Sequence, residues 1–529
     1  MTNHLSYLRK NVVAEPLINQ WYAWSYLVSP ASAAMLTANS HLKLMQSFVS
    51  APQVHVSALK NPAMRGGPFL HYPADKAGEI KEFIDRTISE QAPLLELAEG
   101  IQTLSGLLET EANGFSLESL YQRVPEALKG YIELIYDLNN SASIRFIEAL
   151  LYSSPYFNPS SQSICLSLSE SDDRPFALST PQINTEGRLY LKTPFSSSAW
   201  DELFKMKFIP QSVGAIAETL SVPAADREFF ESLFTHEVPA PPTRYTNEQI
   251  RIRYFGHACI LIESRDVAIL IDPVISYENP DGMDRYTYAD LPETIDYVLI
   301  THNHQDHCMF ETLLQLRHRI GQILVPKNNG GSLADPSLRL VFKNLGFAAV
   351  REIDEMESVE IEGGEIIGLP FLGEHADLNI RTKLAHLIRI GDKSILCAAD
   401  SNNLEPVLYK HIHKQLGDVN VLFLGMECDG GPLSWLYGPL LTKPLARKFD
   451  QSRRLCGSDC SRGMEIVDEL RPSHVYIYAM GLEPWLTYLT SIQYTDESRP
   501  IVESNALVAA CRSRGINSER LFGHKEILL

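Results

Sequence analysis

Apolar positions along this chain fall into two textures, and the change comes at Val238-Pro239-Ala240-Pro241-Pro242-Thr243. Pro239, Pro241 and Pro242 can continue neither a helix nor a sheet ladder, so the stretch separates residues 1–240 from residues 246–529. Upstream, helical spacing predicts helices over Lys81 to Gly100 and Ile132 to Leu151, and Gly187 to Leu191 predicts a short strand. Trp21 to Leu36 is the longest aromatic-apolar stretch. Pro30 and several serines interrupt it, and it falls short of the ~20 residues that span a bilayer, so it predicts a buried helix. Downstream, short apolar runs predict strands at Ile250–Tyr254, Cys259–Glu263, Val267–Ile271, Tyr297–Ile300 and Ile323–Pro326. Further runs follow at Ile366–Phe371, Leu387–Ile390, Ile395–Ala398, Val421–Leu424 and Val475–Tyr478, with helices at Phe310 to Ile320 and Lys443 to Gln451. Short strands with flanking helices imply two sheets packed face to face and covered by helices, an α/β architecture preceded by a separate N-terminal α/β domain.

Composition narrows the partners. A formal net charge of -19 argues against non-specific binding to nucleic acid or to an anionic membrane, both of which need basic surface. The N-terminal MTNHLSYLRKNVVAEPL has no apolar signal core. Eight cysteines are scattered without a dense framework, which fits reduced thiols in a cytoplasm. Cys456 and Cys460 suit one helical turn, but no second pair completes a zinc site.

The chemistry gathers where predicted strands end. Tyr297–Ile300 runs into Thr301-His302-Asn303-His304-Gln305-Asp306-His307, four metal-competent side chains within one loop. His302 and His304 can point the same way, and Asp306 and His307 follow closely enough to serve a second ion. Val267–Ile271 ends in Asp272-Pro273, Ile366–Phe371 runs into Gly373-Glu374-His375, and Ile395–Ala398 is followed by Asp400. Rigid strands ending at one rim would bring these groups to a single site. Asp272 reads as a support of the His302 loop, and His257 as a hydrogen-bonded support in a Gly-His-Ala turn. Glu427, in the Gly425–Gly431 loop, is a candidate to reach the rim and gate oxygen or take a proton. His411 and His413 read as surface residues of a helix, and Trp485 and Tyr488 as core.

On these motifs residues 246–529 resemble a metallo-β-lactamase fold, an αββα sandwich. Gly256-His257-Ala258-Cys259-Ile260-Leu261-Ile262-Glu263 resembles its first strands, Ile271-Asp272-Pro273 its first acidic motif, and THNHQDH its main metal motif. A hydrolase of that superfamily supplies a His as third ligand to the first metal and another after a late strand. Here the first position reads Leu372-Gly373-Glu374-His375-Ala376-Asp377, and the late strand His474–Tyr478 is followed by Ala479-Met480-Gly481. That departure is similar to the di-iron β-hydroxylases of nonribosomal peptide biosynthesis, the chloramphenicol pathway among them.

The resemblance implies that His302, His304 and Glu374 bind one iron, that Asp306 and His307 bind a second, and that Asp400 bridges. It implies O2 as co-substrate and an external electron donor, since no flavin or nicotinamide fingerprint is present. It further implies an amino acid thioester on a carrier domain as substrate, an external reductase, and a homodimer. Residues 1–240 would then cover the site, help form the dimer and shape carrier access. Three imidazoles with three carboxylates also suit iron or manganese better than a His-rich zinc site does. His375 stands beside Glu374 as the other candidate ligand, with Asp377 placed to orient either. Were His375 to bind, the site would revert to a zinc or manganese hydrolase opening a lactone, thioester or phosphoester. A non-catalytic member that docks a synthetase is a third reading, against which the intact ligand string argues.

Overall fold

The computed structural model describes residues 5–279 and 282–529. Its C-terminal half is built on two seven-stranded mixed sheets. In the first, Ile320–Pro326, Ile295–Leu299 and Ala268–Ile271 run parallel, and Ile260–Glu263, Arg251–Tyr254 and Lys525–Leu528 continue the sheet antiparallel. In the second, Lys393–Cys397, Val421–Gly425, His474–Tyr478 and Asn517–Arg520 run parallel. The sheets bury a common layer between them, with Ile252, Ile260, Ile262, Ile269 and Ile271 facing Ile366, Ile388, Ile395 and Phe423. Helices Val407–Leu416, Cys460–Leu470 and Arg499–Ser513 cover the outer face of the second sheet. The expected sandwich is therefore present, and its parallel strands end toward one rim, where α/β sheets hold their ligands.

The outer face of the first sheet is covered differently. Helix Phe310–Leu316 packs there in one continuous core with Val12, Val13, Trp200, Phe204 and Phe230 from upstream of the proline stretch. A second core joins the N-terminal helices Pro30–Leu36, Ala77–Glu90 and Ala92–Glu111 to Leu433, Leu436 and Tyr437. The largest N-terminal sheet among the described residues has the order Trp21–Tyr22, Val12–Ile18, Gln162–Leu168, Leu189–Leu191. The two sequence halves are thus distinct in strand pairing and shared in core.

Three upstream elements differ from expectation. Ile132 to Leu151 is not a helix but a hairpin, Ile132–Tyr136 paired with Ala142–Phe146, and only Glu148–Leu151 is helical. Its first strand begins buried, exposed, buried at Ile132, Glu133 and Leu134, a period of two. Asp137 closes the turn by accepting the N–H groups of Asn139 and Ser141, and Asn140 takes φ +57°. Lys81 to Gly100 spans two helices, broken at Gln91 with Pro93 in the first turn of the second. Trp21 to Leu36 opens as a strand and turns helical at Ser25.

A buried polar knot ties the halves together. Arg174 donates to Glu15 (2.7 Å) and to Glu311 (2.9 Å), and its guanidinium stacks 3.6 Å over the Tyr488 ring. Glu311 also accepts from Tyr22 (2.9 Å) and Tyr277 (2.7 Å). Trp485 and Tyr488 are core residues beside this knot, as read from the sequence. Removing one partner of a buried pair strands the other charge, at about 3–5 kcal/mol. Arg174→Ala is expected to lose stability on that scale in urea unfolding, and a midpoint close to the wild-type value would show that water replaces the guanidinium freely.

Candidate metal centre

The site is assembled around Asp272, which follows strand Ala268–Ile271 with no solvent exposure. One of its oxygens accepts the Thr301 N–H (2.7 Å), and the other accepts the Thr301 hydroxyl (2.5 Å) and His307 Nδ1 (2.8 Å). His302 Nδ1 donates to the Thr301 hydroxyl at 3.0 Å. Both imidazoles therefore turn Nε2, with its lone pair, into the cluster. A ligating histidine is usually held in this way through its other nitrogen. His304 is reversed. Its Nδ1 lies 2.8 Å from Glu374 and 3.2 Å from His302 Nε2, while its Nε2 meets the Tyr437 hydroxyl at 2.8 Å.

Glu374 comes from a tight loop in which Gly373, Glu374, Ala376 and Asp377 all have positive φ. A Cβ at Gly373 would approach Asn402 Cβ to 2.5 Å, so glycine is required there. The loop turns Glu374 toward His302 and His304. His375 stands behind, its Nδ1 2.9 Å from Glu374 and 3.1 Å from the Tyr437 hydroxyl. Asp377 is exposed, and it is Tyr437 that contacts both histidines. Asp400 follows Ala399, whose φ of +47° turns the chain beyond strand Lys393–Cys397. It sits 3.0 Å from His307 Nε2 and 3.9 Å from His302 Nε2, between the two halves of the cluster. Its Oδ1 is buried without a hydrogen-bond partner, and a Cβ at Gly425 would come within 2.5 Å of it.

Among the described residues, ligand atoms of His302, His304 and Glu374 fall within 4.8 Å of one another. Those of His302, His307 and Asp400, and of His257, Asp306 and His307, do so as well. Together these groups bring four imidazoles and three carboxylates to one place, and the six expected ligands, three imidazoles and three carboxylates with His257 left aside, fit a dinuclear centre. That donor set is harder than a zinc site and open to redox-active first-row metals. Electrostatics mark an excess of carboxylate charge at the cluster, which a cation would neutralise. Burial pushes His302 well below the usual imidazole value, and its neighbouring imidazoles add to the effect. Burial opposes charge on His307 too, but Asp400 and Asp272 outweigh it and hold that pKa well above normal. Burial would raise Glu374, yet His304 and His375 bring it below the ordinary carboxylate range.

The cluster lies at the base of a cavity of about 190 Å³, walled by Leu436, Leu455 and Ile492 and overhung by Arg65 and Gly66 of the N-terminal half. Trp435 Nε1 donates to Gly66 O at 2.9 Å, closing that overhang. Glu427 lines the same cavity. Burial, then the nearby Asp400, Asp306 and Glu374, push it up to about 8. A larger groove of about 760 Å³ lies beyond Tyr437, between helix Ala92–Glu111 and the hairpin, and holds none of the clustered ligands. Sequence reasoning missed Tyr437, Arg65 and Gly66. They reach the site through tertiary packing, and no local pattern marks them. His411 is exposed and His413 pairs with Asp418 and Glu469, both away from the cluster. Asp272→Asn is expected to lower affinity for the second metal about 10–100-fold, the usual effect of losing an outer-shell partner. A metal titration with two unchanged affinities would remove Asp272 from that role.

Comparison with known proteins gives a consistent set. Residues 7–239 match the diiron non-heme beta-hydroxylase N-terminal domain, and residues 251–426 match a beta-lactamase superfamily domain. The chain is 41% identical over 528 residues to the 4-amino-L-phenylalanyl-[CmlP-peptidyl-carrier-protein] 3-hydroxylase of Streptomyces venezuelae, covering 97% of this chain and 98% of that one. The crystal structure of CmlA, a diiron beta-hydroxylase from Streptomyces venezuelae, superposes with a TM-score of 0.94 at 39% identity over 100% of both chains. A glutamate-to-aspartate variant of CmlA gives a TM-score of 0.92 at the same identity, over 99% of this chain and 100% of that one.

Proposed function

Because the chain belongs to the diiron β-hydroxylases related to CmlA, we propose that it hydroxylates the β-carbon of an amino acid held as a thioester on a carrier domain of a nonribosomal peptide synthetase. The observation that carries this reading is the orientation of Glu374. A Glu374 oxygen lies 2.8 Å from His304 Nδ1, the nitrogen that also faces His302, whereas the adjacent imidazole of His375 meets the far nitrogen of His304, Nε2, at 3.2 Å. His302, His304 and Glu374 would hold one iron, Asp306 and His307 the other, and Asp400 would bridge them. Iron held by these residues would supply the activation of dioxygen, with two electrons drawn from an external donor through a separate reductase.

The chain's own residues supply orientation and exclusion of water. Asp272 and Thr301 fix the tautomers of His302 and His307. Tyr437 holds His304 from behind. The apolar wall of Leu436, Leu455 and Ile492 excludes water from the reacting carbon. Glu427, outside the ligand groups and pushed up to about 8 by burial and by the carboxylates around it, is placed to exchange a proton at the cavity. Residues 1–240 cover the site, contribute to a homodimer and shape carrier access. The Gly66–Trp435 contact over the cavity supports that role. All eight cysteines are free, as suits a reducing cytoplasm, and no described helix is long and apolar enough to cross a membrane.

The test is elemental analysis of protein purified without chelators, followed by incubation of aminoacyl carrier domains with O2 and reductant. Two irons per chain and a one-oxygen mass gain on the carrier are expected. Two zincs that iron does not displace anaerobically would return the chain to the hydrolases. Glu374→Ala is expected to abolish oxygen consumption and reduce iron content, with His375→Ala doing less; the reverse order would overturn the ligand assignment. Glu427→Gln is expected to slow turnover by about 10²-fold, within the range of lost acid–base catalysis, at unchanged iron content. Full turnover in that variant would remove Glu427 from the reaction.

A further inference from the structure

The loop Ala479-Met480-Gly481, at the end of strand His474–Tyr478, carries no imidazole, yet its backbone is committed to one. Gly481 donates its N–H to His257 Nδ1 at 3.2 Å, and Ala479 donates its N–H to the His257 carbonyl at 2.8 Å. Both loop residues have positive φ, +53° and +63°. His257 itself sits at φ +50° in a turn opened by Gly256, where a Cβ would come 2.8 Å from the Trp485 ring. Two strained backbones have thus been folded against each other to hold one buried side chain.

The Gly481 N–H determines what that side chain can do. A neutral imidazole has one donor and one acceptor nitrogen. With Nδ1 accepting an N–H, the proton lies on Nε2, which cannot then present a lone pair to a metal. This is the opposite of His302 and His307, whose Nδ1 atoms face oxygen acceptors. His257 Nε2 is buried with no hydrogen bond formed among the described residues, and Asp306 Oδ2 lies within ion-pair distance of it at 3.3 Å. The ring also meets His307 edge-on, with centroids 5.0 Å apart.

We propose that His257 is a positioning residue of the second metal site. Its Nε2–H, aimed at Asp306 Oδ2, would engage that oxygen once the metal is bound and so orient the carboxylate toward the metal. The late-strand loop, where a hydrolase would offer a further ligand, here offers an amide that holds His257 in the donor tautomer. This rests on the ligand assignment proposed above for Asp306 and His307.

The experiment compares wild type, His257→Ala and His257→Gln by stepwise Co2+ titration of the metal-free full-length chain. Stoichiometry, affinity and the visible ligand-field spectrum are read. His257→Ala is expected to weaken the second Co2+ about 10–100-fold, leave the first within a few-fold and alter the second ion's spectrum. His257→Gln keeps an N–H donor and is expected to restore most of that affinity and the wild-type spectrum. An Ala variant with two unchanged affinities and an unchanged spectrum would overturn the proposal. So would a Gln variant as impaired as Ala, which would make the imidazole a direct ligand. Equal loss of both ions together with a lowered melting temperature would reduce His257 to a structural residue. Wild-type protein that binds two ions yet hydroxylates no carrier-bound amino acid would sink the proposed function and leave this assignment standing.

Discussion

Everything at the centre depends on the solvent-free carboxylate of Asp272. A buried, ionised carboxyl group is costly unless its lone pairs are taken up, and here three donors take them: the Thr301 amide, the Thr301 hydroxyl and His307 Nδ1. The same bonds fix the loop that follows strand Ile295–Leu299 against the strand beside it. They also choose which nitrogen each of two imidazoles turns inward. Folding energy and ligand geometry are thus set by one group, and the loop cannot relax without exposing that charge to an apolar surround.

The fold aims three buried carboxylates by a common device, strand ends and the loops after them that break into left-handed backbone. Asp272, Glu374 and Ala399, the residue before Asp400, all have positive φ, at +42°, +64° and +47°. Such conformations are uncommon for residues other than glycine, and they persist where the surrounding structure over-determines them. Each redirects a carboxylate toward the cluster at the rim where the strands end. A site rich in carboxylates is self-repelling, and the metals that neutralise it are what the arrangement is built to receive.

Much of this was legible in the chain. The ligand string after an apolar run, Asp272 before a proline, and Asp400 after another run could be read because strand-end chemistry is local in sequence. The central strands could be read for the same reason, since they are buried on both faces and show as continuous apolar runs. The strands Val350–Ile353, Ser358–Ile361 and Asn517–Arg520 were not read. They stand at or next to the sheet edges, where half the residues are solvated and the apolar signal fades. The hairpin Ile132–Tyr136 with Ala142–Phe146 reads as a helix in sequence because five-residue strands on either side of a short turn also satisfy helical spacing. Tyr437, Arg65 and Gly66 were out of reach, because their place at the site is a property of packing between the halves.

That packing has a further consequence at the proline stretch. Val238 to Thr243 is largely exposed and carries no regular structure, the ordinary profile of a protease-sensitive link. Yet the cores on either side of it are continuous, with Trp200 in one cluster with Phe310, and Leu104 in one cluster with Tyr437. A cut there would sever the chain without separating its parts. The fragments would stay together as a nicked whole and melt in a single transition, so two units in sequence amount to one in thermodynamics.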